Sequence, residues 1–321
     1  NVNLEGRHAI LTGGRVKIGY ATALRLLRSK ATVVVTTRFP GLAYEQFCKE
    51  TDFEEWKERL TVYGLDLRNL NAIGEFIAFY KSKFDSLDIL INNAAQTIKY
   101  PDTYYLPLVH NEEKIIETQK ENLLLKPNST PVSMEIKKLD YDVNESTSVE
   151  LTRFGLPVDN REKTSWNSTL EEVGLHELVE VNLINQMAPY MLIKELKPLF
   201  MQSEFKERFI INVTSSEGIF SYANKTIFHP HTNMTKAALN MLTLTSGKEF
   251  AESNIYMSCV DVGWVSTGAH EELRKKQFEQ GYIPPLDPVD GASRIMDPIM
   301  EGIAGNYLFG VLLKNYKITS W

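Results

Sequence analysis

Short apolar runs alternate with longer helical patterns along the chain. Ala9-Ile10-Leu11 is followed by a helix-like stretch from about Gly19 to Ser29 and then by the β-branched run from Thr32 to Thr37, the rhythm of β-α-β units in a parallel sheet. Further buried-strand candidates are Leu60 to Tyr63, Leu87 to Ile91, Phe209 to Val213, Ile255 to Val260 and Tyr307 to Leu313. Parallel strands covered on both faces read in this way, so the expectation is one α/β domain over residues 1–321. Its architecture would be a Rossmann-like, doubly wound parallel sheet of about seven strands with helices on both faces.

One stretch breaks the rhythm. From about Lys99 to Ser165 the sequence is polar and rich in Asn, Glu, Lys and Thr, with Pro101, Pro107, Pro127, Pro131 and Pro157 interrupting it. Insertions of this length in compact domains are lids, binding loops or disordered excursions. Tyr100, Tyr104, Tyr105, Leu106 and Leu108 give its beginning enough apolar area to pack on the body. Short strands are expected around Val132 to Ile136 and Val149 to Thr152. Because the insertion leaves the fourth strand at its C-terminal end, where ligands of open α/β sheets bind, it is expected to form a lid or substrate wall over the reacting end of the site. A partner-binding excursion is the competing reading.

Composition narrows the function classes. The 321 residues carry 35 Lys+Arg against 41 Asp+Glu, a net charge of -6, which argues against a nucleic-acid partner. No apolar run approaches the roughly 20 residues of a membrane-spanning helix, and the chain opens on polar Asn1-Val2-Asn3, so no membrane partner is expected. Cys48 and Cys259 fall in a predicted helix and a predicted strand. A disulfide framework is therefore not expected, and the cytoplasm or another reducing compartment is. Asn128, Asn144, Asn212 and Asn233 begin Asn-x-Ser/Thr sequons. The last two lie in the predicted core, where a glycan would prevent folding, so the sequons are read as by-products of composition.

Candidate chemistry starts at Thr12-Gly13-Gly14-Arg15-Val16-Lys17-Ile18-Gly19, a glycine-rich turn between the first strand and its helix. Glycines there let the backbone turn tightly and let phosphate oxygens approach amides at a helix N-terminus. Here the sequence resembles the short-chain dehydrogenase/reductase superfamily, whose turn reads TGxxxGxG. Thr12, Gly13 and Gly19 match, and Lys17 stands at the middle glycine. The resemblance implies that Thr12, Gly13, Arg15, Lys17, Ile18 and Gly19 form the cofactor turn. It also implies that Asp66, with Leu67 beside it, contacts the adenine end. Asn93 and Ala94 of Asn92-Asn93-Ala94-Ala95 would close the fourth strand over the cofactor, where the family has NNAG. Asp261-Val262-Gly263-Trp264-Val265-Ser266-Thr267 resembles the family's PGxVxT and implies Gly263, Val265 and Thr267 beside the nicotinamide. The resemblance covers residues 4 to 98 and 166 to about 316.

Arg38, immediately after the second strand, stands where an acidic residue would bond the ribose hydroxyls of NAD. A basic residue there pairs with the 2′-phosphate of NADP, so NADP is expected and NAD is the lesser alternative.

For the reaction itself, the resemblance implies Asn182 as the helix-borne asparagine, Ser216 as the catalytic serine, with Ser215 one position away, and Lys236 as the lysine of YxxxK. Four residues before Lys236 stands Thr232 in place of tyrosine. An aliphatic hydroxyl is far too weak an acid for the phenol's role. His229 and His231, just before the helix, either supply the proton or only shape the loop. Tyr222 is a minor alternative, and no metal site is expected, because His-Pro-His lacks a third ligand. Two functions stay open. One is an NADP-dependent oxidoreductase moving hydride to or from a carbonyl, imine or activated double bond of a small molecule. The other is a non-catalytic NADP-binding protein of the same fold, a structural or regulatory subunit of a larger assembly. A homo-oligomer through the helices carrying Asn182 and Lys236 is implied by the resemblance.

Overall fold

The computed structural model describes residues 2–119, 125–126, 151–152, 154–223, 225–265, 279 and 286–321. Strand β1 (His8–Thr12), helix α1 (Lys17–Arg28) and strand β2 (Thr32–Thr37) form the first unit. Helices α2 (Pro40–Cys48) and α3 (Phe53–Trp56), strand β3 (Leu60–Gly64), helix α4 (Leu70–Lys83) and strand β4 (Ile89–Asn92) complete the first half. The insertion contributes α5 (Asp102–Thr118) and the two-residue strand β5 (Leu125–Lys126). The second half holds α6 (Leu175–Asn182), α7 (Ala188–Met201), β6 (Arg208–Thr214), α8 (Pro230–Ala251) and β7 (Ile255–Asp261). It closes with α9 (Pro288–Ile303), β8 (Leu312–Lys314) and β9 (Lys317–Thr319).

These strands form one sheet in the order β5-β3-β2-β1-β4-β6-β7-β8-β9. Every neighbouring pair is parallel except β8 with β9. Strand order reverses between β1 and β4, and the crevice at the C-terminal ends of those strands is where ligands of such sheets bind. Both faces are covered. Ala9, Leu11, Val33, Val35, Ile211 and Val213 pack in a core beneath α1 and α9. The alternate residues Ile10, Val34, Leu90 and Ile210 pack with Phe76, Tyr80, Leu192 and Leu196 of α4 and α7.

Two departures from the expected sheet have local causes. The run from Tyr307 to Leu313 is strand only from Leu312, after Gly310 at a φ of 63°, and Asn315 and Tyr316, with left-handed φ values of 49° and 64°, turn β8 back into β9. Residues in that conformation make the tight hairpin turn whose twist suits antiparallel strands. The other departure is β5, which the polar insertion lays along the edge strand β3. The expected strand at Val132 to Ile136 and most of that at Val149 to Thr152 lie outside the described residues.

Between α6 and α7 the helix widens into a π turn at Leu183–Met187. Pro189 follows immediately, and without an N–H it cannot bond the carbonyl four residues back, which favours such a widening.

Helix α5 packs on α2, with Leu108 and Val109 against Phe39. The Glu112 carboxylate accepts from the amides of Gly41 at 2.6 Å and Leu42 at 2.8 Å, capping α2. Apolar contact and capping together fix it against α2, the helix that follows the C-terminal end of β2.

Candidate functional site

The glycine-rich turn is built around close backbone contact. Gly13 has a φ of 71°, and a Cβ there would lie 2.9 Å from Ala94 Cα. A Cβ on Gly19 would lie 2.1 Å from the Gly13 carbonyl. The loop after β4 is tied to this turn. Thr12 Oγ1 accepts from the amides of Asn93 and Ala94, at 3.1 and 3.0 Å, and Asn93 Nδ2 donates to the carbonyls of Thr12 and Gly13. Thr12, Gly13, Gly19, Asn93 and Ala94 thus meet in one cradle at the start of α1. Lys17 keeps the left-handed conformation of the missing glycine, at a φ of 56°, at a cost of about 1–2 kcal/mol for a residue with a Cβ. Its ammonium lies 5.7 Å from the ring centroid of Phe154. Ile18 follows it, half-buried and packed on Gly291 of α9.

Beside this turn the arginines converge. Arg15 is buried, and its guanidinium lies 5.5 Å from the Phe39 ring, with that of Arg38 5.7 Å from the same ring. Burial and then repulsion from Arg38 pull the pKa of Arg15 down to about 10. Neither arginine has a carboxylate within salt-bridge distance among the described residues. Asp66 binds Arg68 through two oxygens, with the shorter contact at 2.6 Å, and Arg68 continues to Glu180 at 3.1 Å. Leu67 is buried beside it.

At the other end of the crevice, Lys236 is buried on α8 and donates to the Val213 carbonyl at 2.9 Å. Burial lowers its pKa to about 8. Thr232 stands one helical turn earlier, fully buried, and its hydroxyl has no hydrogen-bond partner among the described residues.

The neighbouring side chains are engaged elsewhere. His229 takes a left-handed φ of 44°, stacks on Trp166 at 4.2 Å and bonds the Trp166 carbonyl through Nδ1 at 2.7 Å. His231 is 1% exposed, with Nε2 3.3 Å from Glu177 Oε1 on α6. Ser216 Oγ donates to Asp261 Oδ2 at 3.2 Å and accepts from Lys314 Nζ at 2.8 Å, so it faces β7 and β8. Ser215, at the head of the same turn, makes no hydrogen bond through its side chain among the described residues.

Asn182 donates to Leu178 within its own helix. Asn185, which the sequence reading missed, makes the contacts between elements. It accepts from the Gln96 amide at 2.8 Å, donates to the Gln96 carbonyl at 3.0 Å, and donates to Thr235 Oγ1 at 3.1 Å. One buried side chain therefore joins the loop after β4 to the residue preceding Lys236. Pro189, four residues on, was the available signal, since the π turn it favours changes which side chains face inward.

Gly263 has a φ of 79°, and its amide donates to Asp261 Oδ1 at 2.9 Å. Val265 pairs with Leu286 in an isolated bridge. Thr267 lies outside the described residues. Cys48 and Cys259 are unpaired. Among the described residues no helix is long and apolar enough to cross a membrane.

A parallel sheet with a β1/β4 switch point, a glycine cradle there and a buried lysine on α8 define a nucleotide-binding α/β protein of the dehydrogenase type. The sequence profile of the short chain dehydrogenase family matches residues 7–118 and 160–277, and the chain belongs to that family, whose fold binds NAD(P). The unmatched residues between fall inside the insertion. The uncharacterized protein R665 of Acanthamoeba polyphaga mimivirus is 32% identical over 313 residues. That match covers 92% of this chain and 63% of the relative, so the chain spans less than two thirds of that relative's length. (+)-Neomenthol dehydrogenase of Capsicum annuum is 37% identical over 91 residues, 27% of this chain and 28% of that protein. Among solved structures, the Pseudomonas aeruginosa RhlG/NADP active-site complex superposes with a TM-score of 0.63 at 18% identity, covering 97% of this chain and 95% of that one. A metagenomic short-chain oxidoreductase in complex with NADP gives 0.56 at 18% identity, covering 90% and 89%.

Proposed function

We propose that this chain is an NADP-dependent oxidoreductase moving hydride to or from a carbonyl, imine or activated double bond of a small molecule. The observation that carries the cofactor choice is the Arg15–Arg38 pair on Phe39. Two guanidinium groups share one corner, one of them buried, with no carboxylate paired to either among the described residues. A buried cation attracted by a carboxylate, Glu112, that is already engaged by the Gly41 and Leu42 amides remains costly, and a doubly charged phosphate beside both arginines would remove that cost. The glycines let the turn pack directly on the loop after β4, since a Cβ on Gly13 would meet Ala94 and one on Gly19 would meet the Gly13 carbonyl and Asn93.

In this reading Thr12, Gly13, Lys17, Ile18 and Gly19 hold the diphosphate. Asp66 and Leu67 border the adenine, and Asn93, Ala94, Gly263, Val265 and Thr267 border the nicotinamide side. Bound NADPH supplies the hydride. Lys236 holds the nicotinamide ribose by turning its ammonium from the Val213 carbonyl. Because the Ser216 hydroxyl is engaged by Asp261 and Lys314, Ser215 is the better placed hydroxyl to meet a substrate oxygen. His231, oriented by Glu177, is the proposed proton source, since Thr232 cannot act as an acid near neutral pH. Asn185 rather than Asn182 positions the loop and α8 against each other.

Calorimetric titration is expected to show tighter binding of NADPH than NADH, with Arg38→Asp reversing the order. Equal affinities in the unaltered protein would remove the cofactor argument. Loss of NADPH absorbance across a panel of carbonyls and imines tests turnover. Full activity in the double variant His229→Ala/His231→Ala would end the histidine assignment.

A second reading has its own observation. Both His231 nitrogens are sealed from solvent and Thr232 replaces a phenol, which favours a protein that binds NADP without turning over. Binding with no turnover on the panel would select it. Met187 and Tyr190 near or on α7, and Met234, Met241 and Leu244 on α8, are exposed apolar side chains on neighbouring helices. A second copy of the chain is the proposed cover, and light scattering tests it.

A further inference from the structure

We infer that the insertion selects for a 2′-phosphorylated adenine nucleotide, with Glu112 and Tyr105 as positioning residues that hold Arg15 and Arg38 ready for the phosphate. This rests on the NADP reading above. It assigns to the insertion a role at the end of the cofactor opposite to the reacting ring.

Tyr105 lies on α5, and its ring centroid is 4.6 Å from the Arg38 guanidinium. The same ring stands 6.2 Å from that of Phe39, at 28°, so Arg38 has an aromatic face from α5 on one side and Phe39 on another. A guanidinium held against such faces loses less freedom when it binds an anion than one on a solvated side chain.

Glu112 acts on the other half of the site. Its carboxylate takes the Gly41 and Leu42 amides at the start of α2, within four residues of Arg38. The fit is close, because a Cβ on Gly41 would stand 3.1 Å from Glu112 Oε1 and 3.0 Å from Ile115 Cγ2. This contact fixes the Arg38-Phe39-Pro40 turn. Its charge also attracts Arg15, partly offsetting the repulsion between the two arginines. Two cations and one carboxylate leave the corner with net positive charge, which suits a phosphate dianion and gives an unphosphorylated ribose nothing equivalent.

The remaining described piece of the insertion extends this wall. Leu151 bridges Pro157, with Gly155 at a φ of 65° in the turn between them. Leu156 packs against the Phe39 cluster while Phe154 stands beside Lys17. The insertion therefore borders the proposed site at two places, α5 at Arg38 and Phe39 and this hairpin at Lys17.

The test uses 2′,5′-ADP and 5′-AMP, which differ only in the 2′-phosphate and carry no nicotinamide. Calorimetry on the full chain should show preference for 2′,5′-ADP. Glu112→Gln should weaken 2′,5′-ADP binding by roughly tenfold, the loss of one charge-assisted contact. Tyr105→Leu should weaken it by about fivefold, as expected for a cation–aromatic contact. Binding of 5′-AMP should change by less than about twofold in both. Tyr105 is only half-buried, so its variant keeps the test open if Glu112→Gln does not fold. A parallel loss for both nucleotides would mean simple loosening of α2 and would overturn the inference, as would an unchanged ratio in folded variants. No preference in the unaltered protein would instead sink the NADP reading itself.

Discussion

Lys236 offers the most direct check on the site, because its burial has a thermodynamic consequence that needs no substrate. The residue is 6% exposed, and the hydrogen bond to the Val213 carbonyl does not make up for the lost hydration. The pKa falls from an ordinary 10.5 to about 8. A lowered lysine pKa means that between those values the unfolded chain binds a proton that the folded chain has released, so folding stability rises with pH through that window. Below about pH 8 both states carry the charge, and the folded state bears the full cost of keeping it buried. A shift of about 2.5 units corresponds to about 3 kcal/mol.

Lys236→Met removes the titrating group while keeping much of the volume. It leaves the Val213 carbonyl without its partner, a loss of about 1–3 kcal/mol that does not depend on pH. Urea unfolding at steps across the window should therefore show the unaltered protein gaining about 3 kcal/mol relative to Lys236→Met. Other groups titrating in this range cancel in the difference. A flat difference would refute the buried, charge-penalised lysine. The same series with saturating NADPH should move the window upward, since ribose hydroxyls accepting from the ammonium stabilise its charged form.

Two further outcomes are expected. Asn185→Ala leaves the Gln96 amide and carbonyl without their side-chain partner and should cost about 3 kcal/mol in urea unfolding, whereas Asn182→Ala should cost under about 1 kcal/mol; equal losses would contradict the assignment of Asn185 as the connecting residue. Thr232→Tyr places a phenol one turn before Lys236 and should create or raise reductase turnover, read as NADPH consumption, and an inert folded variant that still binds NADPH would mean that α8 does not present this position to the substrate.

What was legible in the sequence follows from how local each signal is. Units such as β1-α1-β2 show as apolar runs because strands covered on both faces have no polar alternation, and the glycine cradle shows because only glycine fits there. Side-chain direction is less local. Asn182 lies in a helix as expected, yet the π turn ahead of Pro189 carries Asn185, three residues on, to the contacts between elements. Ser216 and Ser215 are adjacent, and only the positions of Asp261 and Lys314 decide which hydroxyl is engaged. Helix α5 did leave a trace. Tyr105, Leu108, Val109, Glu112 and Ile115 recur at helical spacing, a pattern obscured by Pro101 and Pro107, which sit just before its first turn and within its first two turns. Where that helix docks could not be read, because its anchor is a carboxylate on the α2 amides rather than a sequence motif.

The distribution of unfavourable features along the crevice bears on which function the fold serves. Lys17 keeps a left-handed backbone with a Cβ in place, Arg15 is buried beside another cation, and Lys236 is buried with its charge. Each is destabilising in the protein alone by about one to a few kcal/mol, and features of this kind persist where a ligand compensates them. All three border the path that one dinucleotide would take from the end of β2 to α8. A scaffold that had lost its ligand would gain stability from glycine at position 17 or from a neutral residue at position 15 or 236. At the reacting end the features differ in kind. His229 is held by Trp166, His231 faces Glu177 and Ser216 bonds Asp261, arrangements that satisfy or shield each group within the protein. The pull toward a ligand is therefore strongest at the phosphates and the ribose. In the proposed function NADPH binding rests on these features, and turnover requires a substrate to reach His231 and Thr232, both buried.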